Sequence, residues 1–168
     1  MSSNERQVGG AHYRSPFQHW DWAIDTGQTY LEAATTKYIT RWRAKEGVQD
    51  VQKAGHYLDK FIECLDAGRI QRHAPDERAL LGLNDRFFKA NRVTKLEQRI
   101  CILMTIWPFK LTQEQGMFNL RSARILVTQL EEEAVAWEKE WSSKVRIKQP
   151  PGPTGMEHPY GYNEKDDA

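Results

Sequence analysis

Cysteine is scarce in this chain of 168 residues, with Cys64 and Cys101 the only two. Both lie inside apolar helical patterns, which suits buried thiols in a reducing compartment better than a disulfide framework. No stretch approaches the roughly 18 apolar residues that a membrane span needs. The opening MSSNERQVGG lacks the apolar centre of a secretion signal. A cytoplasmic protein without membrane contact is the expectation. Charge of one sign is missing too: the net charge is +1, which disfavours a protein that coats nucleic acid through bulk charge and leaves only a local basic patch. The sequence has no G-x-x-x-x-G-K-[ST] loop and no G-x-G-x-x-G turn, so the common phosphate cradles are absent. It has no C-x-x-C, no H-E-x-x-H and no histidine pair at metal spacing, so no metal site and no cofactor are expected. Glu63 and Asp66 form an E-x-x-D, half of the magnesium pattern of all-α nucleotide pyrophosphatases, but the other half is missing.

What is present is helical periodicity. From Lys37 to Glu63 the chain reads KYITRWRAKEGVQDVQKAGHYLDKFIE, two helical segments meeting at Gly47. Lys37, Arg41 and Lys45 recur every four residues and stack on one face, with Tyr38 and Trp42 in a parallel aromatic row. After Gly47, Val51, Ala54, Leu58, Phe61, Ile62 and Leu65 keep core spacing. Asp50, Lys53, Tyr57 and Lys60 follow a neighbouring face. A basic, aromatic surface beside a polar one suits a phosphate-bearing ligand with a flat ring. It is also what an ordinary solvated face with a helix ion pair looks like.

The spacing organises the rest as an all-α compact helical bundle. Residues 1–10 form a lead-in. Residues 11–68 open with an aromatic segment, either a flap over the helical core or rings that fill it, in which Pro16 interrupts regular helix, followed by a short helix from Trp20 to Asp25 that Gly27 closes. Thr29 with Glu32, Thr94 with Glu97 and Thr112 with Gln115 read as capping boxes. The helix after Thr29 is expected to run through Lys45. Residues 75–144 form a C-terminal helical region, entered at Pro75. Its long last helix carries Leu120, Ala123, Val127, Leu130, Ala134, Trp137 and Trp141 in a 3-4 alternation. Homo-oligomer formation through residues 120–141 and packing inside the chain both explain that stripe. Residues 145–168, rich in proline and glycine, read as a disordered tail.

Taken together, QVGGAHY, KYITRWRAKEG and QDVQKAGHYLDKFIE resemble a family of small phage proteins, the T-odd phage nucleotide kinase family, also labelled a domain of unknown function. Its pattern is roughly V-x-x-x-H-Y, then G-N-x-x-K-Y-x-x-R, then a basic residue and glycine, then D-x-x-K-A-x-x-Y-L. The chain matches at Val8, His12, Tyr13, Lys37, Tyr38, Arg41, Lys45, Gly47, Asp50, Lys53, Ala54, Tyr57 and Leu58, over residues 7–63. The resemblance implies a nucleotide ligand and phosphoryl transfer to a nucleoside monophosphate, in the cytoplasm of an infected host. Lys37, Arg41 and Lys45 would neutralise phosphate oxygens, Tyr13 or Tyr38 would stack on the base, His12 would shuttle a proton, and Asp50 would orient Lys53 or hold a metal. Tyr57 completes the ligand-binding set. The chain departs from the pattern at Ala33 and Ala34, where Gly-Asn is expected, and alanine has no amide to hold a base or phosphate. The alternative is a non-catalytic interaction protein that binds a host protein or sequesters a signalling nucleotide. Nucleic-acid binding through the basic face is a third reading, disfavoured by the total charge.

Overall fold

Helices begin where the capping pattern marks them. Glu32 Oε2 accepts the Thr29 backbone N–H at 2.8 Å, and Glu97 Oε2 accepts that of Thr94 at 2.8 Å. A first turn leaves its N–H groups without intrahelical partners, and a side chain reaching back from the third position supports the entry to the helix. The computed structural model describes residues 15–71, 76–109 and 112–148, and these contain six α-helices and no strand. They are α1 (His19–Asp25), α2 (Tyr30–Arg41), α3 (Val48–Asp66), α4 (Glu77–Asn91), α5 (Lys95–Ile106) and α6 (Gln113–Lys148). Single 3-10 turns, Trp42–Ala44 and Trp107–Phe109, follow α2 and α5. The fold is all-α, as the periodicity predicts. Among the described residues no helix is long and apolar enough to cross a membrane.

Three details differ from the sequence reading. First, α2 stops at Arg41, so Lys45 lies beyond the helix, with φ −133 and ψ −112. The row Lys37, Arg41, Lys45 is broken because Trp42 turns inward to the buried carboxylate of Glu97, 2.8 Å away. Second, α6 continues to Lys148, so helix replaces the predicted tail over 145–148. Third, the described part of the aromatic segment divides: Phe17 and Trp22 are buried in the core, Trp22 stacking on Phe87 at 4.2 Å, while Trp20 is 47% exposed. The lead-in, His12, Tyr13 and the tail from 149 onward lie outside the described residues.

One apolar cluster joins both halves of the chain. It includes Ile39, Val51, Leu58 and Phe61 from the first half and Ile100, Met104, Leu120, Val127 and Leu130 from the second. The α6 stripe is thus buried within the chain: Leu120, Ala123, Leu130 and Ala134 are fully buried and Val127 is 1% exposed. Packing inside the chain accounts for the stripe from Leu120 to Ala134, while Trp137 is only partly buried and Trp141 is 57% exposed.

The chain also lays down one three-helix plan twice. Thr29-Tyr-Leu-Glu…Thr40-Arg-Trp42 reappears as Thr94-Lys-Leu-Glu…Thr105-Ile-Trp107, every number 65 higher. Trp22 and Phe87, the pair that stacks, stand in the same relation. So do Gly27 and Arg92, which both leave a helix with positive φ, at 64 and 53. The core residues of α3 (Val51, Ala54, Leu58, Phe61, Leu65) map onto those of α6 (Leu120, Ala123, Val127, Leu130, Ala134) with numbers 69 higher. Each unit locks the other. Trp42, after α2, donates its indole N–H to Glu97 at the start of α5 at 2.8 Å. Trp107, after α5, donates to Glu32 at the start of α2, also at 2.8 Å. Both carboxylates are buried, so each needs such partners to stay in the core.

Candidate functional site

An open groove of about 700 Å³ runs between α2 and α3. Leu31 and Tyr38 line it from α2, and Gln49, Gln52, Lys53, His56, Tyr57 and Lys60 line it from α3. The α3 residues recur at three- and four-residue steps, which places them on one stripe of that helix. Tyr38 and Tyr57 stack at 5.6 Å and 21°, and Tyr30 meets Tyr57 edge-on at 6.0 Å. Three cations gather at the Tyr38 ring: Lys37 Nζ and the Arg41 guanidinium at 4.7 Å each, and Lys53 Nζ at 5.8 Å. The negative face of the ring attracts such groups.

The sequence-predicted residues separate here. Tyr38, Lys53 and Tyr57 line the groove, while Lys37 and Arg41 adjoin it through the Tyr38 ring. Lys45 is exposed in the turn before Gly47. Asp50 is fully buried and holds Arg41 through two hydrogen bonds, 3.1 and 3.3 Å. Lys53 sits 3.7 Å from the same carboxylate and bonds Glu46, which raises the ammonium pKa. Asp50 therefore anchors Arg41 first and Lys53 second. Lys60 pairs with Glu63 at 2.7 Å. Among the described residues, Lys37 has no acidic partner. Lys60 continues the sequence-predicted face of Lys53 and Tyr57, and His56, Gln49 and Gln52 complete the same stripe of α3.

A helix N-terminus often serves as an anion site, but that of α3 is taken. Glu138 of α6 accepts the Val48 N–H at 2.7 Å. It reaches it over Gly47, whose φ of 53 suits glycine and whose missing Cβ would lie 1.9 Å from the Glu138 oxygen. The Glu138 carboxylate therefore occupies this end of α3. Among the described residues no group of three or more His, Cys, Asp or Glu is arranged to hold a metal ion.

His19 stands behind the basic face. Thr36 donates its hydroxyl proton to Gln28 Oε1 at 2.7 Å, so it accepts from His19 Nε2–H at 2.9 Å, which places a ring proton on Nε2. Burial, then the charges of Lys37 and Arg41, lower the His19 pKa to about 3. The unfolded chain takes up this proton near pH 6.5, whereas the folded chain refuses it until about pH 3. Stability is therefore present above pH 6.5 and falls as the pH drops towards 3. The slope stays below the single-proton limit of about 1.4 kcal/mol per pH unit, because part of the ring meets solvent. In urea titrations from pH 7 to 4, His19→Gln is expected to flatten this decline, and an unchanged slope would mean that His19 is protonated in the fold.

No family model matches this chain, and no curated protein or solved structure matches it.

Proposed function

We propose that the α2–α3 groove binds a small anionic ligand with a flat ring, a nucleotide being the class that fits best. The observation that carries this reading is the stacked Tyr38–Tyr57 pair within a groove ringed by Lys37, Lys53, His56 and Lys60. A volume of about 700 Å³ is within the usual range for small-molecule sites. Tyr57 offers apolar ring surface, Gln49 and Gln52 offer amides for the polar edge of a base, and Lys37 supplies a charge that no acid among the described residues has claimed. The resemblance over residues 7–63 points to the same ligand class and to a phage origin. Phosphoryl transfer would be a further property of this site. Binding is the function proposed first, since Ala33 and Ala34 stand where the family pattern has Gly-Asn.

Calorimetry with nucleoside mono-, di- and triphosphates tests it. Lys37→Ala is expected to weaken binding by about 1.5–3 kcal/mol, roughly ten- to a hundred-fold or more, through loss of one charge-assisted contact. Its melting temperature should hardly move, because Lys37 belongs to no ion pair among the described residues. Arg41→Ala is unsuitable as an affinity probe. It strands the buried Asp50 carboxylate and costs about 3 kcal/mol of stability, the lower end for a broken buried pair because Lys53 remains nearby. Equal affinity for wild type, Lys37→Ala and Tyr57→Ala, or no nucleotide binding at all, would overturn the proposal.

A further inference from the structure

The duplicated plan gives the positions that line the groove counterparts on α5 and α6, and their chemistry has changed. Tyr38 corresponds to Leu103, Gln49 to Phe118, Lys53 to Ser122, His56 to Ile125 and Tyr57 to Leu126. Exposure follows the same order: Gln49, Gln52, His56 and Lys60 are exposed, as are Phe118, Arg121, Ile125 and Gln129 at the matching positions. Phe118 is 70% exposed and Ile125 is 63% exposed, two turns apart on α6. Single exposed apolar residues are ordinary, but Phe118 and Ile125 match Gln49 and His56 of the first groove, and the half-buried Leu96 and Leu103 match its Leu31 and Tyr38. Four apolar side chains at the positions of one groove mark a contact surface.

We infer that the α5–α6 face is a docking surface for an amphipathic protein helix whose apolar stripe is flanked by acidic residues. The charge around the strip selects that occupant. Lys95 and Arg99 stand one turn apart on α5, and Arg121 lies between Phe118 and Ile125 on the same face of α6. All three are exposed and have no acidic partner among the described residues. Acids on both flanks of an incoming helix would meet these cations while its apolar face covers Phe118 and Ile125. Second copies of this chain fit less well, since a two-fold contact through one patch brings each cationic rim against its own kind. An anionic membrane surface also fits less well. The exposed Glu114 and Glu132 fall on the same outward side of α6, one beyond each end of the strip; a flat anionic surface would meet both, whereas a helix crossing α6 between them meets neither.

The probe is a fluorescein-labelled synthetic helix of three heptads with leucines on one face and glutamates on both flanks, followed by anisotropy against the full chain. Saturable binding is expected, weakened about tenfold or more by Phe118→Glu or Ile125→Glu, as for a central apolar anchor. Arg99→Ala with Arg121→Ala is expected to reduce binding and its dependence on salt. Lys37→Ala should leave it unchanged, which keeps this result separate from the nucleotide groove. Circular dichroism and melting of each variant verify the fold, and Ile125→Ser serves as a milder second variant should a glutamate disturb it. The proposal is overturned if the helix fails to bind, if a lysine-flanked version binds as well, or if Ile125→Glu and Ile125→Ser both leave binding intact. It is also overturned if wild type is a dimer that Ile125→Glu converts to monomer, or if phosphatidylglycerol vesicles bind through Ile125.

Discussion

Glutamate placed at Val127 and Leu130 together is expected to abolish folding, not to release a smaller folded particle. Both positions are sealed, at 1% and 0% exposure, between α6 and the helices of both units. Each substitution removes a buried aliphatic side chain, a loss of about 2–5 kcal/mol when truncated, and adds a carboxylate whose burial costs several kcal/mol more. A domain of this size has about 5–15 kcal/mol of total stability, which the pair of changes exceeds. Circular dichroism should show loss of the helical signal, and light scattering an expanded or aggregated chain. A helical particle of lower mass would instead mean that the stripe is a subunit interface and that the intramolecular packing is wrong.

Glu97→Ala comes next in expected effect. The carboxylate is 2% exposed and serves three groups: the Trp42 indole N–H, the Thr94 backbone N–H and the Arg43 guanidinium. Its removal leaves two N–H groups short of an acceptor, at about 1–3 kcal/mol each where buried, and also empties the space the side chain filled. A loss of about 3–5 kcal/mol is expected in urea unfolding. The double variant Glu97→Ala with Trp42→Phe should lose less than the sum of the two singles, because the indole donor goes with its acceptor. Strict additivity would show that the two side chains are not coupled.

The parts of the fold that were legible depend on neighbours in sequence. Thr29–Glu32 and Thr94–Glu97 announce two helix starts, Gly27 and Gly47 mark turns, and the 3-4 spacing of Leu120 to Ala134 predicts a buried stripe. What was not legible depends on the distant partner. The end of α2 is decided by Trp42 reaching Glu97, 55 residues away, so the four-residue rhythm that carried Lys45 onto the basic face was misleading. Arg41 and Asp50 pair across the Gly47 turn, and only the angle between α2 and α3 reveals that the acid is buried. Periodicity showed that the α6 stripe is covered without showing by what. One signal was present and untouched: the repeated T-x-L-E and T-x-W frame, which pairs each capping glutamate with a tryptophan of the other unit. The candidate groove was half legible, through Tyr38, Lys53 and Tyr57, since a face can be traced along one helix but a groove needs two.

Two units on a single polypeptide have a consequence for how the protein can change over generations. In a symmetric dimer of identical chains, any substitution is made twice, and a surface that suits one ligand is copied onto the other half. Here Lys53 and Ser122, or His56 and Ile125, occupy matching places yet are encoded separately. One face can lose its polar groups while the opposite face keeps them, and the crossed Trp42–Glu97 and Trp107–Glu32 bonds hold both in register throughout. Mutational scanning should accordingly find the two faces independent of each other, with tolerance collapsing together only at the four residues of that crossed lock.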